Sequence, residues 1–365
     1  MHKRTAFVIA LVLGGVATIG SPRLSVAQTQ QMTPQLRELA AAADKEGELV
    51  VKWSSQSFGG PQGAKVFEKN LNEAYGTKIQ IKWTPGGDMP GVGNEIAIAF
   101  RNNQPSPTDV YVGFSRNMAA FLKYDMFQPG EYEKYLPGRL SSAVVERGTY
   151  VKIYSATVGL SYNKARAPSV PERLGDLLKP EWKGKIATTP FAAGFELLAS
   201  NDAFGPEKAI AFAKDFTQQV AGFMLCNESD RLASGEFLAF SFDCGGSRMA
   251  AAAAKGAPIA SILLPEVPIA SYFYLTVPKN AAHPSAAKLF ITYASSEKGQ
   301  RDLYAMERSD LHLYPESELL KSMRAAEQKF GFTYKNADIT WQEQSNEAGN
   351  AAQREIVKIL SAGRR

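Results

Sequence analysis

Histidine is scarce in this chain, with three in 365 residues, and cysteine is scarcer still, with two. His2, His283 and His312 lie far apart and no third cysteine accompanies Cys226 and Cys244, so no zinc-type cluster is spelled out locally. Catalytic signatures are missing as well: there is no G-x-S-x-G elbow, P-loop, H-E-x-x-H or dinucleotide fingerprint. Charge of one sign is also lacking. The formal net charge of +5 includes Lys3, Arg4 and Arg23, and without those three the remainder is +2, too little to point to nucleic acid or an anionic membrane. No apolar run reaches the ~20 residues that a membrane-spanning helix needs.

What is present begins with a leader. His2-Lys3-Arg4, the apolar run Ala6 to Ile19 and the small-x-small triplet Ser25-Val26-Ala27 have the layout of a secretory signal over residues 1–27, with no cysteine at the cut to carry a lipid. The rest is 338 residues rich enough in apolar side chains, at 45% of the sequence, to fill the cores of two ordinary lobes. In an oxidising compartment outside the inner membrane Cys226 and Cys244 are expected to pair. The alternatives are two buried free thiols or half of a metal site.

The first half reads as strand-then-helix units, the signature of an α/β fold. Gln35 to Lys45 carries Leu36, Leu39, Ala40 and Ala43 on one face and stops at Gly47, and Glu48 to Trp53 follows as a strand. The loop Ser54-Ser55-Gln56-Ser57 then offers hydroxyls and an amide ahead of a helix with Pro61 at its first position. Ile79 to Trp83 is a second strand, and Thr84 to Gly91, with three glycines and two prolines, is a shaped loop bringing Gly87 and Asp88 forward before a helix over Asn94 to Arg101. After the strand Thr108 to Val112, Ser115 is placed as the N-cap of the next helix. Arg116 in its first turn opposes the helix dipole, a placement an anionic ligand would offset.

The second half repeats the scheme. Leu174 to Leu198 leads through a turn at Trp182-Lys183-Gly184 into the strand Ile186 to Thr188, and Thr189 to Gly194 bends toward a helix with Thr189 and Phe191 at the strand's carboxyl end, where open α/β sheets bind ligands. Glu236 to Phe242 is a further strand. Asp243-Cys244-Gly245-Gly246 turns from it into an alanine-rich helix, so Asp243 and the Gly245 amide are aimed at the same place. Tyr154, in the extended segment 150–155, and Tyr272 and Tyr274, two apart on one face of a later strand, complete the candidate ligand-binding set.

Asp176 to Ile186, D-L-L-x-P-x-W-K-G-K-I, resembles the start of the second lobe in periplasmic solute-binding proteins of ABC importers, in the branch that includes the ferric-ion binders. Gly159 to Lys164 is similar to that family's G-x-x-Y-N-K crossing segment. His283-Pro284 through Phe290, with Ser295 to Gln300, is similar to its N-P-x-A-A-x-x-F and S-x-x-G-Q helix pair, histidine standing here for asparagine.

The resemblance implies a two-lobed type II periplasmic-binding-protein fold, with the ligand cleft between mixed sheets flanked by helices. The first lobe is expected over 28–153 and 275–365 and the second over 154–274, with hinges near Tyr154–Tyr162 and Pro268–Tyr274 and the helical tail on the first lobe. It also implies a monomeric binding component rather than an enzyme, with no cofactor, an ABC permease and its ATPase as partners, and a periplasmic location. A sensory binding protein and a secreted hydrolase are the readings of other classes. Ferric binders of the family use a tandem Tyr-Tyr where this chain has Asp243-Cys244. The expected cargo is therefore an organic anion or oxyanion, with Fe(III) held by Tyr272, Tyr274 and Asp243 as the alternative.

Overall fold

The computed structural model describes residues 32–55, 57–345 and 347–363. The leader read over residues 1–27 and the candidate ligand residue Gln56 lie outside the described residues.

Thirteen strands are formed among the described residues: β1 Glu48–Trp53, β2 Gln80–Pro85, β3 Tyr111–Phe114, β4 Phe127–Gln128, β5 Val145–Glu146, β6 Tyr150–Thr157, β7 Gly159–Asn163, β8 Ile186–Thr188, β9 Val220–Phe223, β10 Ala239–Ser241, β11 Ile259–Leu263, β12 Ile269–Pro278 and β13 Lys335–Ala337. They build two halves. In the second, the order is β11-β7-β10-β8-β9, with β8 parallel to both β9 and β10, and β7 antiparallel to β10. In the first, β1 runs parallel to β2, while β12 pairs antiparallel with β3 and β6 and parallel with β13. Backbone and side-chain bonds knit β1 to the segment before β3: Asp109 N donates to Val50 O at 2.8 Å, Val50 N to Asp109 Oδ2 at 2.7 Å and Lys52 N to Thr108 Oγ1 at 3.1 Å. The buried Asp109 carboxylate also accepts from the His283 backbone at 3.0 Å and lies 2.8 Å from its Nδ1. His283 is thereby tied into the sheet edge.

The local chemistry explains the elements. Helix Pro34–Glu46 is opened by Thr33, whose hydroxyl accepts from Leu36 N at 3.1 Å, and closed by Gly47 in the left-handed conformation, burying Leu36, Leu39, Ala40 and Ala43. Strand β1 alternates, with Leu49, Val51 and Trp53 inward. One helix starts earlier than its glycines and prolines predict. Met89–Arg101 takes in Pro90, Gly91 and Gly93, because Asp88 accepts from Gly91 N at 2.7 Å and proline is tolerated in a first turn.

The chain passes from the first sheet to the second at Val158, between β6 and β7, and returns across residues 264–268, between β11 and β12. Tyr154, Tyr272 and Tyr274 consequently sit in strands of the first sheet. The tail differs from expectation. Helix Ile339–Ser345 packs on helix Ser115–Phe121 of the first half, but helix Glu347–Ala362 lies on helices Phe195–Leu198 and Pro206–Thr217 of the second. Its stripe Ala352, Ile356 and Leu360 joins the core that holds Phe195, Phe212 and Phe216, which supplies the apolar surface the stripe needs.

Candidate functional site

The carboxyl ends of β1, β3, β8 and β10 point toward a common cleft of about 470 Å³ between the two halves. From the first half, Trp53 and Ser54 reach it at the end of β1, Asp88 and Met89 at the start of a helix, and Phe114 and Arg116 just past β3. Phe191, Glu196, Phe242 and Gly245 come from the second half. Ala156, Thr157 and Val158 of the crossing also line it, as does Phe273 of β12. Phe58 is held against the helix that follows it by close approach: a Cβ on Gly63 would stand 1.6 Å from the Phe58 carbonyl oxygen, which only glycine avoids.

Two ion pairs join the halves across this region. Arg116 Nη1 lies 3.6 Å from Glu196 Oε1, and Arg248 Nη2 lies 3.1 Å from Glu307 Oε2. In each the carboxylate is buried and the guanidinium is more exposed. Burial raises the Glu196 pKa and the facing Arg116 lowers it, leaving a net upward shift. The tail helix supports this corner, since Gln353 Nε2 donates to Glu196 Oε2 at 3.0 Å and to the Ala192 carbonyl at 2.9 Å. Glu307 also accepts from Gly59 N at 2.5 Å, linking the second pair to the loop after β1.

Cys226 and Cys244 form a disulfide, and both line the cleft wall. The metal-half alternative for these two cysteines falls away with it. Phe242, Cys244, Gly245 and Gly246 all have positive φ, so this corner is a run of left-handed residues following β10.

The family of bacterial extracellular solute-binding proteins matches residues 107–327. The chain belongs to this family. Its fold is of the type II periplasmic-binding-protein kind, with helices flanking two mixed sheets. The substrate-binding protein of an ABC transporter from Agrobacterium tumefaciens superposes with a TM-score of 0.68 at 14% identity, over 87% of this chain and 94% of that one. Iron-bound HitA from Pseudomonas aeruginosa superposes with a TM-score of 0.62 at 17% identity, over 85% of this chain and 99% of that one. The Fe(3+)-binding periplasmic protein of Serratia marcescens is 25% identical over 190 residues, 46% of this chain and 52% of the relative. This solute-binding protein thus spans about half the length of that curated relative in the match.

Of the residues singled out from the sequence, Ser54, Gly87, Asp88, Arg116, Phe191 and Gly245 line the cleft of this solute-binding protein. Ser55 is exposed and outside the lining. Ser115 is not an N-cap: it is the first helical residue, Phe114 stands at the N-cap, and Asn117 two residues into the helix reaches back, its Oδ1 accepting from Phe114 N at 3.0 Å. The buried Ser115 hydroxyl donates to Ala337 O at 2.8 Å and accepts from Tyr272 N at 3.1 Å, locking the helix to β12. Thr189 is buried, its Oγ1 accepting from Ala193 N at 2.7 Å inside the bend. Tyr154 stacks at 4.3 Å on Phe273, and burial pushes its hydroxyl pKa well up.

Tyr272 and Tyr274 do not reach the cleft. Both are fully buried. Tyr272 stacks on His312 at 5.6 Å beneath the Lys152 amine, and Tyr274 donates to Glu146 Oε2 at 2.7 Å. Burial, with Glu146 nearby, raises the pKa of both phenols, so the tyrosinate pair expected for iron is not assembled. Sequence reasoning missed Phe114, Phe242, Phe273 and Glu196. The first two stand at or just past strand ends, a position that would have flagged them.

Asp243 is buried beneath the corner and outside the cleft lining, accepting from Ser161 Oγ at 2.6 Å. Desolvation pushes its pKa up to about 7, despite the Ser161 hydroxyl and the Gly245 and Gly246 amides, which favour the ionised form. A carboxyl whose folded pKa exceeds its unfolded value holds its proton more tightly when folded. Its contribution is therefore harmless below the unfolded pKa and increasingly destabilising as pH rises to about 7. Asp243→Asn is expected to remove a penalty of about 3 pKa units, on the order of 4 kcal/mol, above that pH. Urea unfolding of both proteins from pH 4 to 8 measures it, and a difference that stays constant with pH would exclude this role for Asp243.

Proposed function

We propose that the protein is the periplasmic substrate-binding component of an ABC importer, capturing a small organic anion between its two halves and presenting the closed form to a membrane permease and its ATPase. The observation that carries the reading is Arg116. Its side chain is 44% exposed at a cleft between two sheets, with Glu196 touching one guanidinium nitrogen at 3.6 Å, which leaves the planar fork open to a carboxylate. Family membership supports the class of activity. Closure would occur about Val158 and residues 264–268, where the chain crosses between the two sheets, and the binding unit is a monomer. No helix among the described residues is long and apolar enough to cross a membrane, in keeping with a periplasmic carrier.

Two of the similar proteins are named for, or solved with, iron. The cleft carboxylates here are otherwise engaged, Asp88 as a helix cap and Glu196 against Arg116, and the tyrosines are in the core. That favours the organic anion. Calorimetry with a panel of small carboxylates, alongside a visible-absorption titration with ferric citrate, tests it. Carboxylate binding accompanied by a smaller radius of gyration in solution scattering is expected. A tyrosinate-to-iron absorption band without carboxylate binding would replace this reading with the ferric one.

A further inference from the structure

We infer that the captured anion is an aromatic monocarboxylate, a flat ring bearing a single carboxylate. The inference rests on the organic-anion reading and adds the charge and the body of the solute. Among the described residues, four ionisable side chains reach the cleft: Lys52, Asp88, Arg116 and Glu196. Lys52 Nζ is paired with Glu95 at 2.5 Å, Asp88 caps a helix and Glu196 is held by Gln353 and Arg116. Arg116, touched by Glu196 at one nitrogen, keeps the rest of its fork for one carboxylate. A second charge on the solute would lie desolvated against phenylalanine rings with no partner to offset it.

The body must be apolar. Few polar groups in the lining are left to meet a solute's hydroxyls. Ser54 and Ser57 face each other at 3.1 Å and Asn117 Oδ1 holds Phe114 N, so the hydroxyls of Thr157 and Ser271, buried in the lining without a partner, remain for no more than a polar atom or two of the solute. A sugar or polyol would strand its own hydroxyls against Met89, Val92, Phe114, Phe191, Phe242 and Phe273.

The rings argue for flatness. Phe114 and Phe273 meet edge to face at 5.0 Å, with the Arg116 guanidinium 5.9 Å from the Phe114 centroid, so cation and aromatic surface lie side by side. Phe191 comes from the other half with 44% of its surface exposed, a large apolar ring presented to the cleft. An inserted ring would cover it and add aromatic contacts. A cleft of about 470 Å³ accommodates a solute of that size.

The test is calorimetry on the purified protein with benzoate, cyclohexanecarboxylate, benzamide and phthalate, repeated with Arg116→Gln and with Phe191→Ala, whose exposed side chain is not needed for folding. Benzoate is expected to bind, and benzamide or Arg116→Gln to weaken binding by about tenfold or more. Cyclohexanecarboxylate and phthalate should each bind several-fold more weakly than benzoate, and Phe191→Ala should reduce benzoate affinity in the same direction. If cyclohexanecarboxylate matches benzoate, or phthalate exceeds it, the aromatic monocarboxylate is wrong while an Arg116-dependent organic anion survives. If none of these carboxylates binds but lactate or citrate does through Arg116, the same conclusion holds. Binding of no organic anion at all, or binding indifferent to Arg116→Gln, removes both readings.

Discussion

Replacing Cys226 and Cys244 together with serine is expected to lower stability by about 3 kcal/mol, and to loosen the cleft as well. The two residues are 18 apart in sequence, and a loop of that order loses roughly this much unfolded-chain entropy when it is closed. The segment between them contains helix Ser229–Ser234 and strand β10, so the constraint spans the centre of the second sheet. It also holds the corner after β10, where Phe242 and Cys244 occupy left-handed backbone that disfavours side chains by about 1–2 kcal/mol per residue. Freed of the crosslink, the corner can relax toward ordinary conformations, moving Phe242 and Gly245 out of the cleft wall. Urea unfolding of the double variant, with the wild type under reducing conditions as a parallel, reads the first effect, and calorimetry reads the second. Equal midpoints for oxidised wild type and variant would show that the disulfide contributes nothing to stability.

Removal of the Arg116 guanidinium is expected to cost the most in binding. A hydrogen bond to a charged group is worth about 1.5–3 kcal/mol, so Arg116→Gln should weaken a carboxylate solute by roughly 10- to 100-fold. Its effect on stability is smaller, because the guanidinium is nearly half exposed and screened by solvent. The pH dependence is more telling. Glu196 already has a raised pKa from burial, and losing Arg116 raises it further. Its proton is then held more tightly in the folded state, so the variant should lose stability relative to wild type as pH rises and approach it in acid. Glu196→Gln should act in the opposite sense on binding, since it removes the carboxylate that competes for the same guanidinium. Affinities of the two single variants and the double variant form a cycle. Equal anion affinity in wild type and Arg116→Gln would take Arg116 out of the site.

Much of the fold was legible because its signals are local. The apolar face of Pro34–Glu46, the glycine that closes it and the strand-forming run of β1 each act within a few residues. Where local reading misplaced an element, a distant partner was responsible. Helix Glu347–Ala362 carries an apolar stripe that any exposed core surface would satisfy, and only the packed structure offers it Phe212 and Phe216 rather than the first sheet.

The site divides along the same line. Strand-end corners were visible in the sequence as polar and glycine-bearing turns after apolar runs, which is why Ser54, Asp88, Arg116, Phe191 and Gly245 were found. Orientation was not visible. Along β12 the side chains alternate, and the sequence offers Tyr272 and Tyr274 on one face and Ser271 and Phe273 on the other. Pairing of β12 with β3 and β6 turns Ser271 and Phe273 to the cleft and both tyrosines to the core. Ser115 is decided in the same way, by the strand its helix meets. The sequence by itself determined the α/β class, the order of strands and helices, the family resemblance and the strand-end turns, all consequences of spacing and backbone preference over short stretches. Which face of each element meets the solute, which carboxylate meets Arg116 and where the tail comes to rest were decided only by tertiary structure, because each depends on register and packing between residues far apart in the chain.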